Sequence, residues 1–271
     1  EVSGARQVGK TFEMREFGAL YYKNTVYINF ETDEKIGSYF ETDIHADSVV
    51  VLLEKYYQVK IVPEETLIIF DEIQMCERAL TSLKYFAEEA PEYHVMAAGS
   101  LLGVAVNREK YSFPVGKVET ITLNPMDFEE FLWAKGYDDA TVQSMLSHMR
   151  ELRPFNELEM KVYHSLFLDF CVLGGMPAVV AEYIQRNTFE NSLDTQRQLI
   201  ADYKEDIRKY AQGIDQTRIL NVFNRIAPQL AKENKKFQIS KVASGARFRD
   251  YRGCAEWLVD AGRVNICYCL E

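Results

Sequence analysis

A short glycine-containing motif near the start of the chain limits most strongly what this sequence can fold into. Residues 4–11 fit the pattern G-x-x-x-x-G-K-[S/T] at every fixed position. Such a loop follows a strand and opens a helix, so that backbone N–H groups and the positive helix end face bound phosphates. The motif predicts a nucleotide-binding protein. The loop residues are Gly4, Ala5, Arg6, Gln7, Val8, Gly9, Lys10 and Thr11.

The fixed positions of this loop have separate chemical roles. Gly4 and Gly9 permit the backbone path, because glycine tolerates dihedral angles that other residues avoid. Lys10 is expected to extend a mobile ammonium group from a solvent-filled loop to the β- and γ-phosphates of ATP. The Thr11 hydroxyl has the length to reach a Mg²⁺ ion that bridges those phosphates. Taken alone, the motif also fits a chance glycine-rich turn before a helix, so its context matters.

An apolar run that ends in two carboxylates supplies that context. Residues 66–72 read T-L-I-I-F-D-E, and a buried parallel strand would bring the two acids to the carboxyl edge of a sheet. We expect Asp71 to hold Mg²⁺ through water, and Glu72 to polarise the water that attacks the γ-phosphate. The alternative is an acidic helix N-cap after a strand, which fits one carboxylate better than a pair.

Length, charge and cysteine usage restrict the class of protein. A chain of 271 residues favours two domains over one. The net charge of −10 and pI near 5.1 argue against non-specific coating of nucleic acid. No run approaches the roughly twenty apolar residues of a membrane helix and no signal peptide is visible, so we expect a cytoplasmic protein without a membrane partner. Buried thiols in a reducing compartment are expected for the five cysteines, Cys76, Cys171, Cys254, Cys267 and Cys269.

Strands and helices alternate through the first half, which predicts a parallel α/β sheet. The predicted strands are residues 24–30, 66–71, 93–98 and 117–123, and the predicted helices are residues 10–17, 47–57, 79–90 and 124–133. Only three residues precede the phosphate-binding loop, and the chain stops within a predicted strand. We therefore expect native sequence beyond both ends.

Ser100 follows the strand predicted next after the carboxylate strand. A small polar side chain there would lie near the γ-phosphate and act as a sensor of the nucleotide state. The alternative is a Gly-Ser turn that caps the following helix. The phosphate-binding loop upstream favours the sensor.

The motifs together resemble the prokaryotic AAA-type ATP-binding proteins that carry a C-terminal domain of unknown function. The pieces that carry the resemblance are GARQVGKT, LIIFDEIQ, AAGSLLG and ITLNPMDFEEFL, followed by GGMP, YKEDIRKY and KFQIS…YRG…WLVDAGRV. The resemblance covers nearly the whole chain and implies a P-loop NTPase sheet of the AAA and STAND-like type, with strand order 5-1-4-3-2. It also implies the roles given above for Lys10, Thr11, Asp71, Glu72 and Ser100.

One position departs from this resemblance. Similar proteins often have Gly-Arg before the last strand, where this chain has Gly116 and Lys117. A lysine cannot make the planar two-pronged phosphate contact of an arginine. An arginine-type role is therefore not carried over to Lys117.

The second half is predicted to be helical, with helices over residues 157–172, 178–184, 189–210 and 217–230. The G-G-M-P sequence at 174–177 is interpreted as a tight turn between helices, with a nucleotide contact as the alternative. These patterns divide the chain into a P-loop ATPase domain at 1–135, a helical region at 136–211 and a winged-helix-like domain at 212–271.

The last segment has the order helix, turn, helix, strand, which suggests a winged-helix module. Its predicted second helix covers residues 250–261 and its strand residues 264–270. The segment is basic within an acidic protein, through Lys235, Lys236, Lys241, Arg247, Arg249 and Arg252. DNA binding is one interpretation. Glu256 and Asp260 oppose it, and solvated charges around a protein-interaction module are the other interpretation.

The sequence therefore predicts a Mg²⁺-dependent ATPase that binds ATP and ADP and whose nucleotide state repositions the winged-helix region. The first alternative is a nucleotide-regulated DNA-binding or protein-binding module with negligible turnover. A small-molecule kinase on the same loop is the second alternative, but the Asp-Glu pair and the winged helix fit it poorly. The oligomeric state is left open.

Overall fold

The structure, a computed structural model, describes residues 1–99, 116–211 and 216–267. The chain divides into two compact units, one formed by Glu1–Leu123 with Thr217–Glu271 and the other by Asn124–Gln216. The predicted domains were three successive segments. The structure differs because the C-terminal residues belong to the same unit as the phosphate-binding loop.

The described residues of the first unit contain five strands, all paired in parallel. They are β1 (Val2–Ser3), β2 (Asn24–Asn29), β3 (Thr66–Asp71), β4 (His94–Ala97) and β5 (Ile121–Thr122). One ladder has the order β2-β3-β4 and another joins β1 to β5. An isolated parallel bridge between Val2 and Ala98 links the two ladders. The full order 5-1-4-3-2 stays a prediction, because this link is a single bridge.

β3 is buried along its whole length in the middle of its ladder. Both faces of the strand are covered, which explains a continuous apolar run instead of an alternating one. The ring of Phe70 lies 5.5 Å from that of Phe30 and 5.8 Å from that of Phe40, centroid to centroid. The predicted strand is confirmed, and it ends with Asp71 at the carboxyl edge of the sheet.

Within residues 1–99, four helices accompany these strands: α1 (Lys10–Tyr21), α2 (Glu34–Phe40), α3 (Ala46–Tyr57) and α4 (Glu77–Glu89). The predicted helices near residues 10, 47 and 79 are confirmed, with shifted ends. The sequence analysis did not predict α2, which is short and contains Gly37. The Asp33 carboxylate starts it by accepting a hydrogen bond of 3.2 Å from the Ile36 N–H.

β5 is much shorter than the strand predicted for residues 117–123. Its parallel partner β1 contributes only Val2 and Ser3 to the ladder. The flanking backbone bonds run from Ile121 N–H to the Glu1 carbonyl at 2.8 Å and from Leu123 N–H to the Ser3 carbonyl at 2.9 Å. The partner strand therefore limits the length of β5.

The second unit is helical, as predicted, and consists of α5 (Phe128–Ala134), α6 (Asp139–Arg150), α7 (Glu157–Leu173), α8 (Pro177–Arg186) and α9 (Phe189–Tyr210). α5 begins at Phe128 and not at residue 124, because Asp127 and Glu130 form a reciprocal capping box. Gly175 lies in the break between α7 and α8. A Cβ atom on Gly175 would lie 1.9 Å from the Met126 carbonyl oxygen, so the close approach of these two backbone segments accounts for this glycine.

The C-terminal part of the chain contains α10 (Gln216–Leu230), a 3-10 turn at Ile239–Lys241, and α11 (Phe248–Asp260). These agree with the predicted helices. The predicted strand is wrong for residues 264–267, which form no strand, and residues 268–270 lie outside the described part. The winged-helix module therefore stays a prediction.

Two sequence-level expectations about the surface can be compared with the structure. Cys76 and Cys254 are buried, but Cys171 and Cys267 are exposed, so the expectation of buried thiols is wrong for these two. Cys269 lies outside the described residues. Within the described residues, no helix combines the length and the apolar character that crossing a bilayer requires.

Candidate functional site

The phosphate-binding loop turns by means of left-handed residues. Gly4 has φ +136°, and a Cβ atom on it would lie 2.2 Å from the Leu123 carbonyl oxygen. The positive φ and the lack of room for a side chain both require glycine at this position. Gly9 has φ +101° with open space around it, so only its backbone angle favours glycine. Gln7 also has a positive φ of 66°. The turn ends at Gly9, and α1 begins with the next residue, Lys10.

The start of α1 has no side-chain cap. Gly9 is the N-cap and has no side chain that could accept hydrogen bonds from the first N–H groups of the helix. A helix start without a side-chain cap keeps those donors and the positive end of the helix dipole available for an anion. Ala5 and Val8 are buried and anchor the loop, with exposed fractions of 6% and 3%.

Lys10 is buried, contrary to the expectation of a side chain in a solvent-filled loop. Its exposed fraction is 7%, and Nζ donates to the carbonyl oxygens of Gly4 at 3.0 Å and Ala5 at 2.8 Å. Burial lowers the pKa of this ammonium group to about 8, with the cations Arg263 and Arg6 acting in the same direction. The carboxylates of Glu72 and Asp71 oppose this shift. The loop therefore folds around its own lysine.

The carboxylate of Asp71 contacts the phosphate-binding loop directly. The Thr11 hydroxyl donates to Asp71 Oδ2 at 2.7 Å, and the Tyr27 hydroxyl donates to the same oxygen at 2.7 Å. Asn29 Nδ2 donates to the Tyr27 oxygen at 3.3 Å. Asp71 itself is only 3% exposed. A buried carboxylate is thereby held by two hydroxyl donors beside the loop.

These groups fit a Mg²⁺ ion that binds together with a nucleotide. The described residues contain no group of three or more His, Cys, Asp or Glu side chains that could hold a metal ion. Mg²⁺ does not require such a cage, because it is usually bound by one or two carboxylates together with substrate phosphates and waters. Thr11 and Asp71 supply a hydroxyl and a carboxylate oxygen, the hard donors that this ion prefers.

Glu72 lies on a sharp turn at the end of β3. Its backbone is left-handed, with φ 50° and ψ 40°, and its N–H donates to Asp71 Oδ1 at 3.0 Å. Gln74 Nε2 donates to Glu72 Oε2 at 2.5 Å. Non-glycine residues in this conformation carry strain and occur frequently at functional sites. The left-handed backbone of Glu72 therefore marks the end of the strand and the start of the 3-10 turn.

Three residues at this site were missed by the sequence analysis: Tyr27, Gln74 and Arg263. Tyr27 could have been found from strand pairing, since Asn29 pairs with Asp71 and the residue two positions earlier lies on the same face. Gln74 is the last residue of the piece LIIFDEIQ, and Arg263 lies in the piece WLVDAGRV near the end of the chain. Both pieces carry the resemblance described above, but the sequence analysis gave neither residue a role.

The C-terminal segment, residues 258–267, approaches the phosphate-binding loop. Gly262 has φ +65°, and a Cβ atom on it would lie 3.1 Å from the Ala5 backbone nitrogen. The next residue, Arg263, is near enough to Lys10 to lower the pKa of its ammonium group. A glycine thus allows close contact between two backbones, and an arginine side chain brings positive charge to the same region.

The remaining predicted residues lie elsewhere. Ser100 is outside the described residues, so its role stays a prediction. Lys117 Nζ lies 3.2 Å from the Glu88 carboxylate. Arg247, Arg249 and Arg252 are exposed at the start of α11, with Arg249 Nε 3.7 Å from Asp250 and Arg252 Nε 3.2 Å from Glu256.

Comparison with protein families agrees with this geometry. Residues 1–132 match a family model described as an AAA domain. This segment is therefore similar to AAA domains. The match supports a nucleotide-binding ATPase. Residues 164–270 match a second family model, described as a domain of unknown function, DUF8612.

A solved structure is similar to most of the chain. The Walker-type ATPase PABY2304 of Pyrococcus abyssi superposes with a TM-score of 0.55 over 96% of this chain and 83% of that chain, at 14% sequence identity. At this identity the likeness shows the fold alone, a mixed α/β fold with a parallel sheet. No curated protein matches the chain. The STAND-like branch stays a prediction.

Proposed function

We propose that this protein is a Mg²⁺-dependent ATPase whose nucleotide state repositions its C-terminal region, for which the sequence predicts a winged helix. One observation carries the proposal: the hydroxyl of Thr11 and the carboxylate of Asp71 lie 2.7 Å apart, beside the buried ammonium of Lys10. A phosphate-binding lysine, a hydroxyl and an acid at the sheet edge are the groups that phosphoryl transfer from ATP requires.

ATP would bind at the start of α1, where backbone N–H groups face the phosphates. Lys10 would exchange its hydrogen bonds to the Gly4 and Ala5 carbonyls for phosphate oxygens. Thr11 and Asp71 would hold Mg²⁺, which supplies charge neutralisation on the β- and γ-phosphates when bound.

Hydrolysis needs a base for the attacking water, and Glu72 is the acid next to Asp71. Glu72 takes a proton from water as the water oxygen bonds to the γ-phosphorus and the bond to the β-phosphate oxygen breaks. The products are ADP and inorganic phosphate. Ser100 is assigned the role of sensing the γ-phosphate, as predicted from its position after β4.

The contact of Gly262 with Ala5 supports the coupling to the C-terminal region. A loop that must release Lys10 from its own carbonyls to bind phosphate changes shape where Gly262 touches it. The positive charge of Arg263, which is close enough to act on Lys10, would be attracted by the polyphosphate. Both effects depend on nucleotide and act on the same C-terminal segment.

The test is phosphate release together with hydrogen exchange. Glu72→Gln should retain ATP and Mg²⁺ binding but hydrolyse about 10²-fold more slowly or worse. Glu16→Gln, an exposed position on α1, is the matched control and should behave as wild type. In Glu72→Gln, ATP with Mg²⁺ should change amide exchange over residues 258–267. Normal turnover in Glu72→Gln would refute the base assignment, and unchanged exchange would refute the coupling.

A second candidate is a nucleotide-regulated DNA- or protein-binding module with negligible turnover. The exposure of Arg247, Arg249 and Arg252 at the start of α11 favours it, since basic residues at a helix start contact phosphates in DNA-binding motifs. The ion pairs to Asp250 and Glu256 weaken it, because they offset two of the three charges. Steady-state phosphate release with and without DNA separates the two candidates.

A further inference from the structure

Gln74 is a buried polar side chain next to the proposed general base. It lies on the 3-10 turn Ile73–Met75 that follows β3, and its exposed fraction is 8%. Its Nε2 donates to Oε2 of Glu72 at 2.5 Å. The steps proposed above for binding and hydrolysis do not use it.

The oxygen of the Gln74 amide, unlike its nitrogen, makes no hydrogen bond with the described residues. This atom, Oε1, is buried and has no hydrogen-bond partner within residues 1–99, 116–211 and 216–267. A buried amide oxygen without a partner destabilises a fold relative to an apolar side chain of similar size. Stability of the fold therefore does not account for a glutamine at this position. The hydrogen bond to Glu72 does.

The backbone around this pair is fixed. The Ile73 N–H donates to the Ala98 carbonyl at 3.1 Å, the Cys76 N–H donates to the Ile73 carbonyl at 3.0 Å, and the Ile73 side chain is fully buried. Glu72 and Gln74 are therefore held at a constant separation by the turn. The Glu72 side chain has three rotatable bonds, and the hydrogen bond from Gln74 restricts the rotation of its carboxylate.

We infer that Gln74 is a positioning residue that holds the carboxylate of Glu72 in the orientation for activating water. The inference rests on the proposed function, in which Glu72 is the base. A general base displaced by about 1 Å can lose on the order of 10²-fold in rate. Because Gln74 acts through Glu72 and not through the phosphate-binding loop, its loss lowers the hydrolysis rate and leaves ATP affinity unchanged.

The main variant is Gln74→Met, which keeps the side-chain length and removes both the donor and the uncompensated acceptor. We expect kcat to fall about tenfold or more, with ATP affinity as in wild type and a melting temperature equal to or above that of wild type. Gln198→Met is the matched control. The Gln198 amide also donates to a carboxylate, Asp202 Oδ1 at 2.8 Å, but on the exposed surface of α9. This control should leave kcat unchanged.

A double-variant cycle tests whether Gln74 acts on hydrolysis through Glu72 or independently of it. In the Glu72→Gln background, Gln74→Met should change single-turnover hydrolysis by less than about twofold, since the group that Gln74 positions has already been altered. An unchanged kcat in Gln74→Met would overturn the inference. So would an equal rate loss in both backgrounds, or a loss of ATP affinity together with a lowered melting temperature.

The Glu72→Gln arm also identifies which proposal fails. If Glu72→Gln hydrolyses ATP like wild type, Glu72 is not the base, and both the base assignment and the positioning role are refuted. If Glu72→Gln is inactive while Gln74→Met is fully active, the ATPase proposal stands and only the role of Gln74 is refuted.

Discussion

The Thr11 hydroxyl donates a hydrogen bond of 2.7 Å to Oδ2 of Asp71, although the two residues are 60 positions apart in the chain. The contact exists because α1 begins, and β3 ends, at the same edge of the sheet. Tyr27 donates to the same oxygen from the neighbouring strand β2. Two hydroxyl groups from different elements therefore hold the carboxylate of Asp71 in place.

Asp71→Asn should weaken Mg²⁺-dependent nucleotide binding. The amide has one oxygen fewer than the carboxylate, so it loses an acceptor and the charge that attracts the cation. Tyr27→Phe is the control, because it removes a donor to Asp71 but leaves the carboxylate intact. Titration of ATP with and without Mg²⁺ measures the difference. Equal Mg²⁺ dependence in Asp71→Asn and wild type would exclude Asp71 as a ligand.

Lys10→Met should abolish tight ATP binding and leave the protein folded. The variant removes a buried ammonium group whose pKa of about 8 reflects the cost of burial. Wild-type affinity for ATP should also decline above pH 8, since the free loop then loses the proton that phosphate binding requires. Calorimetric titration at pH 7.5, 8.5 and 9.5 measures this decline. A folded variant with wild-type affinity contradicts the assignment of the loop.

The lowered pKa of Lys10 predicts how the free energy of unfolding depends on pH. The unfolded chain keeps the Lys10 proton up to about pH 10.5, whereas the folded protein releases it near pH 8. Between these values the unfolded state binds more protons, so this group raises the free energy of unfolding with pH, by about 1 kcal/mol per pH unit. Denaturant unfolding of wild type minus Lys10→Met should show that slope between pH 8 and 10. A flat difference would argue against a buried, charged lysine.

Gly262→Ala should weaken both the fold and ATP binding. Gly245→Ala is a matched control, because Gly245 has a similar φ of +73° but nothing within 4 Å of an added Cβ atom. Both variants introduce backbone strain of about 1 kcal/mol or more. Only Gly262→Ala also places a methyl group 3.1 Å from the Ala5 nitrogen. If the two variants have the same ATP affinity, the contact with the loop has no functional role.

Replacing Arg247, Arg249 and Arg252 together by Ala distinguishes the roles of the basic segment. If these side chains contact DNA phosphates, binding should weaken and the slope of log affinity against log salt should drop by roughly two to three units. ATP hydrolysis should then survive. Reduced hydrolysis with unchanged DNA binding would instead place the arginines in the ATPase cycle. If neither property changes, the segment is a solvated surface.

Much of the first unit could be predicted from local pattern. The loop motif, the apolar run of β3 and the periodicity of α3 and α4 are local patterns, and each can be recognised from about a dozen consecutive residues. The long helix α9 was predicted over its full extent, residues 189–210. The helices α2 and α6 were not, because one is short with a glycine inside and the other has only two buried side chains, Val142 and Met145.

The sequence by itself identified the residues for which we propose the chemistry: a lysine, a hydroxyl and two acids, at spacings typical of a phosphate-binding loop and a strand that ends in carboxylates. Only the tertiary structure decided that Lys10 is buried, that Tyr27 and Gln74 contact the two acids, and that Gly262 and Arg263 reach the loop. These contacts join residues whose spacing follows no local repeat. They depend on which strands pair and which segments pack together, and those choices are made by burial summed over the whole unit.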